Sequence, residues 1–255
     1  MNLYNQSDRF FIGKHDVHVW IINFEKLKDQ YLSFRNLLTD QERNKEAQFY
    51  SFELKMRYTL CRGVLRRLLN RYLGNKENQI IDFSYGKYGK PFLDHNLTDL
   101  KFNISHSQDF MVCGISKGFE IGVDIEFIRR DIPIEELQTY VFSPSERVNF
   151  NSLSDKEKIL MFFKTWTYKE AFVKAIGIGL TKNLTEIELS FVDPEMPKVL
   201  SIDGSKHLLD QWCLKSLEME IAGMGLEPFH EHIGAIVARR AYFNLQLFQY
   251  GNGNF

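Results

Sequence analysis

Three cysteines in 255 residues, Cys61, Cys113 and Cys213, are odd in number and widely spaced. They offer neither a disulfide framework nor zinc-knuckle spacing, and they read as buried thiols in a reducing compartment. Charge of one sign is not in excess either: 32 Lys plus Arg stand against 33 Asp plus Glu. A dedicated nucleic-acid binder carries a basic surplus, so no nucleic-acid partner is expected. No run approaches the ~18 apolar residues of a spanning helix. Residues 1–16 lack the continuous apolar stretch of a signal peptide. No membrane partner is expected, and the expected location is the cytoplasm. Neither a linker nor a low-complexity tract interrupts the chain, so one rigid unit with a large core is expected.

The run Ile121-Gly-Val-Asp-Ile-Glu126 alternates with period two and reads as a strand. Ile121, Val123 and Ile125 then face a core, while Asp124 and Glu126 share the other face, about 7 Å apart. Further on, Trp166-Thr-Tyr-Lys-Glu-Ala-Phe-Val-Lys174 has helical spacing, with Trp166, Phe172, Val173 and Ile176 as its apolar stripe. Glu170 and Lys174, four apart, share one face of that helix. If strand and helix pack together, three carboxylates and one ammonium converge. Three hard oxygen ligands suit Mg²⁺, which takes the rest of its shell from water and phosphates. The plain readings compete: two acids at i, i+2 are commonly a wet strand face, and Glu–Lys at i, i+4 is an ordinary surface pair.

An internal duplication appears at an offset of 104 residues. Val17-His-Val-Trp-Ile21 falls on Ile121-Gly-Val-Asp-Ile125, and Thr39-Asp-Gln-Glu42 falls on Ser143-Pro-Ser-Glu146. Both of the latter are capping boxes. Each opens a long helical stretch ending near Gly74 or Gly177, as helix C-termini prefer. The fold class expected is α+β, with two similar halves related by a pseudo-two-fold. The halves divide as 1–117 and 118–245, at the turn-like Ser116-Lys-Gly118, and 246–255 is expected to be a flexible tail. Further strands are expected near 80–85, 111–115, 187–191, 214–218 and 233–238.

Three more motifs complete a signature: Tyr88-Gly-Lys90-Pro91, Asn103-Ile-Ser105-His106-Ser107 and Phe142-Ser-Pro-Ser-Glu146. In this order and spacing the chain resembles the 4′-phosphopantetheinyl transferases of the surfactin-synthetase-activating type. The resemblance implies transfer of the phosphopantetheine arm of coenzyme A to a serine of an apo acyl or peptidyl carrier protein, releasing adenosine 3′,5′-bisphosphate. It places the active site between the halves. It implies Asp124, Glu126 and Glu170 as Mg²⁺ ligands on the pyrophosphate, Glu170 also as a base, and Lys174 as a phosphate clamp. Lys45 and Lys90 would contact the 3′-phosphate, and Ser105 and His106 the 3′-phosphate and pyrophosphate. Arg57 and Tyr58 fall on the adenine side. Glu42 departs from the pattern, standing where some relatives carry a second phosphate-binding lysine. A chain holding both halves is expected to be a monomer, and the carrier surface is expected around residues 175–188.

Other readings are weaker. A Mg²⁺-dependent nuclease would place its lysine two residues after the strand glutamate, where this chain has Ile128. A catalytically inactive relative that only binds carrier proteins would not be expected to keep all three acids and Lys174. A salt bridge between Glu170 and Lys174 is compatible with the clamp. His230 and His232 lack a third ligand nearby and read as loop. Glu146 is explained by its capping box. Arg62, Arg66, Arg67 and Arg71 read as a solvated helix face that could attract an acidic carrier.

Overall fold

The computed structural model describes residues 9–94, 96, 98–179, 183–191, 197–206, 209–217 and 231–251. The chain opens with strand β1 (Asp16–Asn23), short helix α1 (Tyr31–Arg35), α2 (Asp40–Ala47) and the long α3 (Phe52–Leu73). Next come the two-residue strands β2 (Ser84–Tyr85) and β3 (Pro91–Phe92), and the hairpin of β4 (Leu100–Ser107) and β5 (Phe110–Lys117). The second half runs β6 (Ile121–Phe127), α4 (Ile134–Val141), α5 (Pro144–Asn151) and the long α6 (Asp155–Ile176). It ends with β7 (Ile187–Ser190), β8 (Lys198–Ile202), β9 (Cys213–Ser216), β10 (His232–Ala238) and β11 (Asn244–Gln249).

The duplication extends through the whole plan. Both α2 and α5 begin with reciprocal capping boxes, Thr39 with Glu42 and Ser143 with Glu146. Each therefore satisfies two of its own unpaired N-terminal donors. Helices α3 and α6 each have 22 residues and stop at Gly74 and Gly177, whose φ of 73° and 74° a side chain would resist. Each half then forms a small hairpin, β2–β3 or β7–β8, and a sheet on its first strand, mixed in the first half, where β11 runs parallel to β1, and antiparallel in the second. The strand orders are β11-β1-β5-β4 and β6-β10-β9, so β5 and β10 flank β1 and β6 equivalently.

The two sheets pack face to face. Val17, Val19 and Ile21 of β1 meet Ile121, Val123 and Ile125 of β6 in one buried cluster. On the outer side of the first sheet, α3 packs Leu60, Val64 and Leu68 against Trp20, Met111 and Phe102. Helix α6 does the same on the second sheet with Phe172, Ala171 and Ala175 against Ala235 and Val237. Burial on both faces explains why the whole of Val17–Ile22 is inaccessible. The edges β4 and β6 are joined by side chains: Val123 N–H donates to Asn103 Oδ1 (2.8 Å) and Phe127 N–H to Ser107 Oγ (3.0 Å).

Several expectations change. The tail does not begin at 246: β11 pairs parallel with β1, from Asp16 opposite Asn244 to Ile21 opposite Gln249. It covers the otherwise open edge of β1, Phe248 stacks on Trp20 at 4.7 Å, and Tyr250 is buried in the first core. This C-terminal strand thus belongs to the first half's sheet. Of residues 80–85 only Ser84–Tyr85 are strand. The chain before them is held by α3, where Arg66 Nε donates to Ile81 O and Asn70 Nδ2 to Glu77 O and Gln79 O. The arginine row of α3 is not a solvated face, since Arg66 is 1 % exposed and its Nη1 lies 2.7 Å from Glu42. His232 is not loop; it is buried in β10 with its ring edge-on to Phe110 and Phe127. His230 lies outside the described residues. All three cysteines are buried free thiols, and among the described residues no helix is long and apolar enough to cross a membrane.

Candidate active site

Gly122, Asp124 and Glu126 share the face of β6 that looks toward α6. A Cβ on Gly122 would come within 2.0 Å of Ala171 O and 2.4 Å of Ala175 N. Only glycine lets the helix sit this close to the strand. That approach brings Glu170 and Lys174, on the last turns of α6, to the acids of β6. Lys174 Nζ donates to Asp124 Oδ1 (2.6 Å) and to Ser105 Oγ (2.8 Å), and Ser105 Oγ donates to the same Asp124 oxygen (2.7 Å). Lys174 thus pairs with Asp124, a tertiary contact across the strand–helix junction, rather than with Glu170, the partner that the plain alternative offered. Glu126 accepts from Trp166 Nε1 (3.2 Å) and Ser107 Oγ (3.4 Å).

These carboxylates are crowded and poorly hydrated. Burial, then the neighbouring Asp124 charge, push Glu170 up to about 7, while Lys174 opposes the shift. Burial and Asp124 also raise Glu126. Glu170 Oε1 and Asp124 Oδ2 are buried with no hydrogen-bond partner. Oxygen donors repelling one another, two of them unfilled, are what a hard divalent cation would relieve, so the residues fit Mg²⁺. Among the described residues, no group of three or more His, Cys, Asp or Glu side chains is placed to hold a metal ion, so the three acids share a neighbourhood without being gathered into a metal site.

A cavity of about 630 Å³ runs from these acids to the first half. Asp124, Glu126, Glu170 and Lys174 line one end, Ser105 and His106 of β4 the middle, and Lys45, Arg57, Tyr58 and Arg62 of α2 and α3 the other end. His106 presents its ring to this opening, yet the surrounding walls lower its pKa by desolvation, and Lys174 and Arg57 lower it further. Lys90 stands elsewhere. It lines an adjoining cavity of about 590 Å³ that shares Ile104, Glu170 and Lys174 with the first. There its ammonium donates to Glu120 (3.2 Å) and to Ile121 O (3.1 Å), so Lys45 and His106 are brought together and Lys90 is not.

Two roles differ from the sequence reading. Glu42 is buried by its ion pair with Arg66, and Glu146 does more than cap, since Lys169 Nζ lies 2.6 Å from it and Leu189 N–H donates to it. These are one device repeated: the capping boxes match at an offset of 104 and the long helices α3 and α6, with their Gly74 and Gly177 stops, at 103, so Glu42 and Arg66 occupy the places of Glu146 and Lys169. Arg62 and Trp166 are cavity residues that periodicity alone did not single out. The signal available for Arg62 was its position one turn from both Tyr58 and Arg66 on α3.

The two halves match two family descriptions: residues 23–117 the 4′-phosphopantetheinyl transferase N-terminal model, and residues 120–222 the 4′-phosphopantetheinyl transferase superfamily model. The chain belongs to the 4′-phosphopantetheinyl transferases. It is 34 % identical over 223 residues to the 4′-phosphopantetheinyl transferase HetI of a Nostoc species, covering 85 % of this chain and 92 % of that one. It is 33 % identical over 150 residues to the transferase Sfp of Bacillus subtilis, covering 58 % of this chain and 64 % of that one. The holo-[acyl-carrier-protein] synthase of Thermotoga maritima superposes with a TM-score of 0.36 at 18 % identity, over 48 % of this chain and 62 % of that one.

Proposed function

We propose that the cleft binds coenzyme A and passes its 4′-phosphopantetheine arm to a serine of an apo acyl or peptidyl carrier protein. The observation that carries this reading is one continuous cavity, basic at the end lined by Lys45, Arg57 and Arg62 and acidic at the end lined by Asp124, Glu126 and Glu170. The basic end suits a phosphorylated nucleotide, and the acidic end suits a cation on a pyrophosphate. In the transfer, the serine oxygen bonds to the pantetheine-side phosphorus and the pyrophosphate P–O bond breaks. Adenosine 3′,5′-bisphosphate leaves, and the serine proton passes to a base. Glu170, held near neutrality by burial, is suited to accept that proton. Lys174, anchored on Asp124 and Ser105, offers positive charge where the transferred phosphoryl group gains negative charge. Ser105 and His106 orient the phosphates between the two ends. Asp124, Glu126 and Glu170 would hold Mg²⁺, which would supply neutralising charge at the pyrophosphate.

Because residues of both halves of one chain line the cavity, the working unit proposed is a monomer, acting in the cytoplasm. Incubation with coenzyme A, Mg²⁺ and apo carriers from fatty-acid, polyketide and peptide synthesis tests the activity by mass. At least one carrier should gain a single phosphopantetheine. No mass gain on any carrier would overturn the reading.

A further inference from the structure

We infer that Arg62 is a specificity residue for the 3′-phosphate of coenzyme A, supplying a second cation beside Lys45 at the basic end of the cavity. The inference rests on reading the cleft as a coenzyme A site.

Three observations lead to it. The first is an unfilled donor. Arg62 lines the basic end of the cavity, and its Nη1 is buried with no hydrogen-bond partner. Its guanidinium lies over the rings of Tyr58 (5.7 Å), Phe83 (5.9 Å) and Tyr85 (5.8 Å). The Tyr58 side chain also hydrogen-bonds the guanidinium, but ring faces accept no strong directed hydrogen bond, so Nη1 keeps capacity for an anion. The nearest acid, Glu42 Oε1, is 3.7 Å from Nε, beyond hydrogen-bond range, and the other oxygen of Glu42 is held by Arg66 at 2.7 Å.

The second is the pairing of cations. Lys45 Nζ lies 5.7 Å from the centre of the same Tyr58 ring that Arg62 covers. Two like charges on one aromatic ring repel each other, and a dianion received between them removes that repulsion. An arginine gives such an anion directed hydrogen bonds that a lysine cannot arrange as rigidly.

The third is the duplication, which acts as an internal control. The pair Glu42–Arg66 recurs as Glu146–Lys169, so that ion pair belongs to the fold. The cavity-lining set Lys45, Tyr58 and Arg62 does not recur. Its counterparts, Asn149 at the 104-residue offset of α2 and α5 and Met161 and Thr165 at the 103-residue offset of α3 and α6, line a cavity in the second half and carry no charge. The fold stands without a cation at the Arg62 position, so the charge there serves what the cleft binds.

The test measures binding of coenzyme A, dephospho-coenzyme A, adenosine 3′,5′-bisphosphate and 5′-AMP by calorimetry to wild type, Arg62→Met and Arg62→Lys. Methionine keeps the stem without the charge. Arg62→Met should weaken coenzyme A and the bisphosphate by about tenfold or more, as loss of a charge-assisted contact does. It should leave dephospho-coenzyme A and AMP unchanged, so that discrimination for the 3′-phosphate narrows. Arg62→Lys should recover part of it and also guards against misfolding of the methionine variant. Unchanged coenzyme A affinity in Arg62→Met, or equal losses for all four ligands, would overturn the assignment. Wild type that binds none of the four would instead overturn the reading of the cleft itself.

Discussion

The Lys174 ammonium sits 2.6 Å from Asp124 Oδ1 rather than on Glu170, the acid one turn before it on the same helix. An i, i+4 pair on a surface is weak, whereas this contact joins two secondary-structure elements and is shared with Ser105. It holds the lysine in one place before substrate arrives. Pre-organised charge of this kind is felt most in the transition state. Lys174→Ala should therefore lower kcat by about 10²-fold or more while coenzyme A affinity changes much less. Lys174→Met, equal in length but neutral, should do no better. A variant that only raises KM or only lowers the melting temperature would make Lys174 a binding or structural residue.

The unfilled oxygens give the proposed Mg²⁺ requirement its test. Asp124 Oδ2 and Glu170 Oε1 lack partners, and Glu126 and Glu170 are both raised by burial and by Asp124. Adding Mg²⁺ should raise the melting temperature of the wild-type protein, and Asp124→Ala should abolish that response together with transfer. Activity that persists in excess EDTA would show that the acids serve another purpose.

Acid sensitivity should arise partly far from the site. His18 is buried on β1, and burial pulls its pKa down to about 4 against a weaker opposing effect of Asp16. Its Nδ1 lies 2.7 Å from the Tyr72 hydroxyl, which also accepts from Trp20 Nε1 (2.9 Å). With Trp20 donating to it, the hydroxyl gives its own proton to a neutral His18, an acceptor that protonation would destroy. The unfolded chain protonates near pH 6.5 and the folded chain only near 4, so the unfolded state binds more protons between those values. Stability is full above about 6.5 and falls as pH drops toward 4, by about 3 kcal/mol at most. Denaturant melts of wild type and His18→Gln across this range should converge at low pH. A constant gap between them would remove His18 from the account.

What could be read from the residues and what could not divide along sequence distance. The strand carrying Asp124 and Glu126, the helix carrying Glu170 and Lys174, and both capping boxes are local patterns. Period two, period 3.6 and a three-residue reciprocal contact expose them. Arg66 looked like surface because its partner Glu42 lies on another helix, and only the packed structure shows that the charge is paired. Strand β11 passed for a tail because its stability comes from β1, more than two hundred residues earlier. Strand β4 was hidden by its polar Asn-Ile-Ser-His-Ser run, whose side chains serve the junction with β6 and the cavity rather than a core.

The glycine that seats α6 on β6 links the fold directly to the chemistry. In Gly122→Ala the new methyl would meet backbone atoms of Ala171 and Ala175 at 2.0 and 2.4 Å, which no side-chain rotation can relieve. The helix must move away from the strand, carrying Glu170 and Lys174 from Asp124. Overpacking of a tight core costs about 1–3 kcal/mol, and this backbone clash should fall at the upper end. Gly234→Ala on the neighbouring strand provides the contrast. There the nearest atoms belong to the Leu217 side chain, at 3.1 Å and beyond, and can give way. Gly122→Ala should thus lose both melting temperature and transfer activity, whereas Gly234→Ala should lose little of either. If Gly122→Ala kept full activity with a lowered melting temperature, the strand–helix spacing would not be what sets the geometry of Lys174 and Asp124.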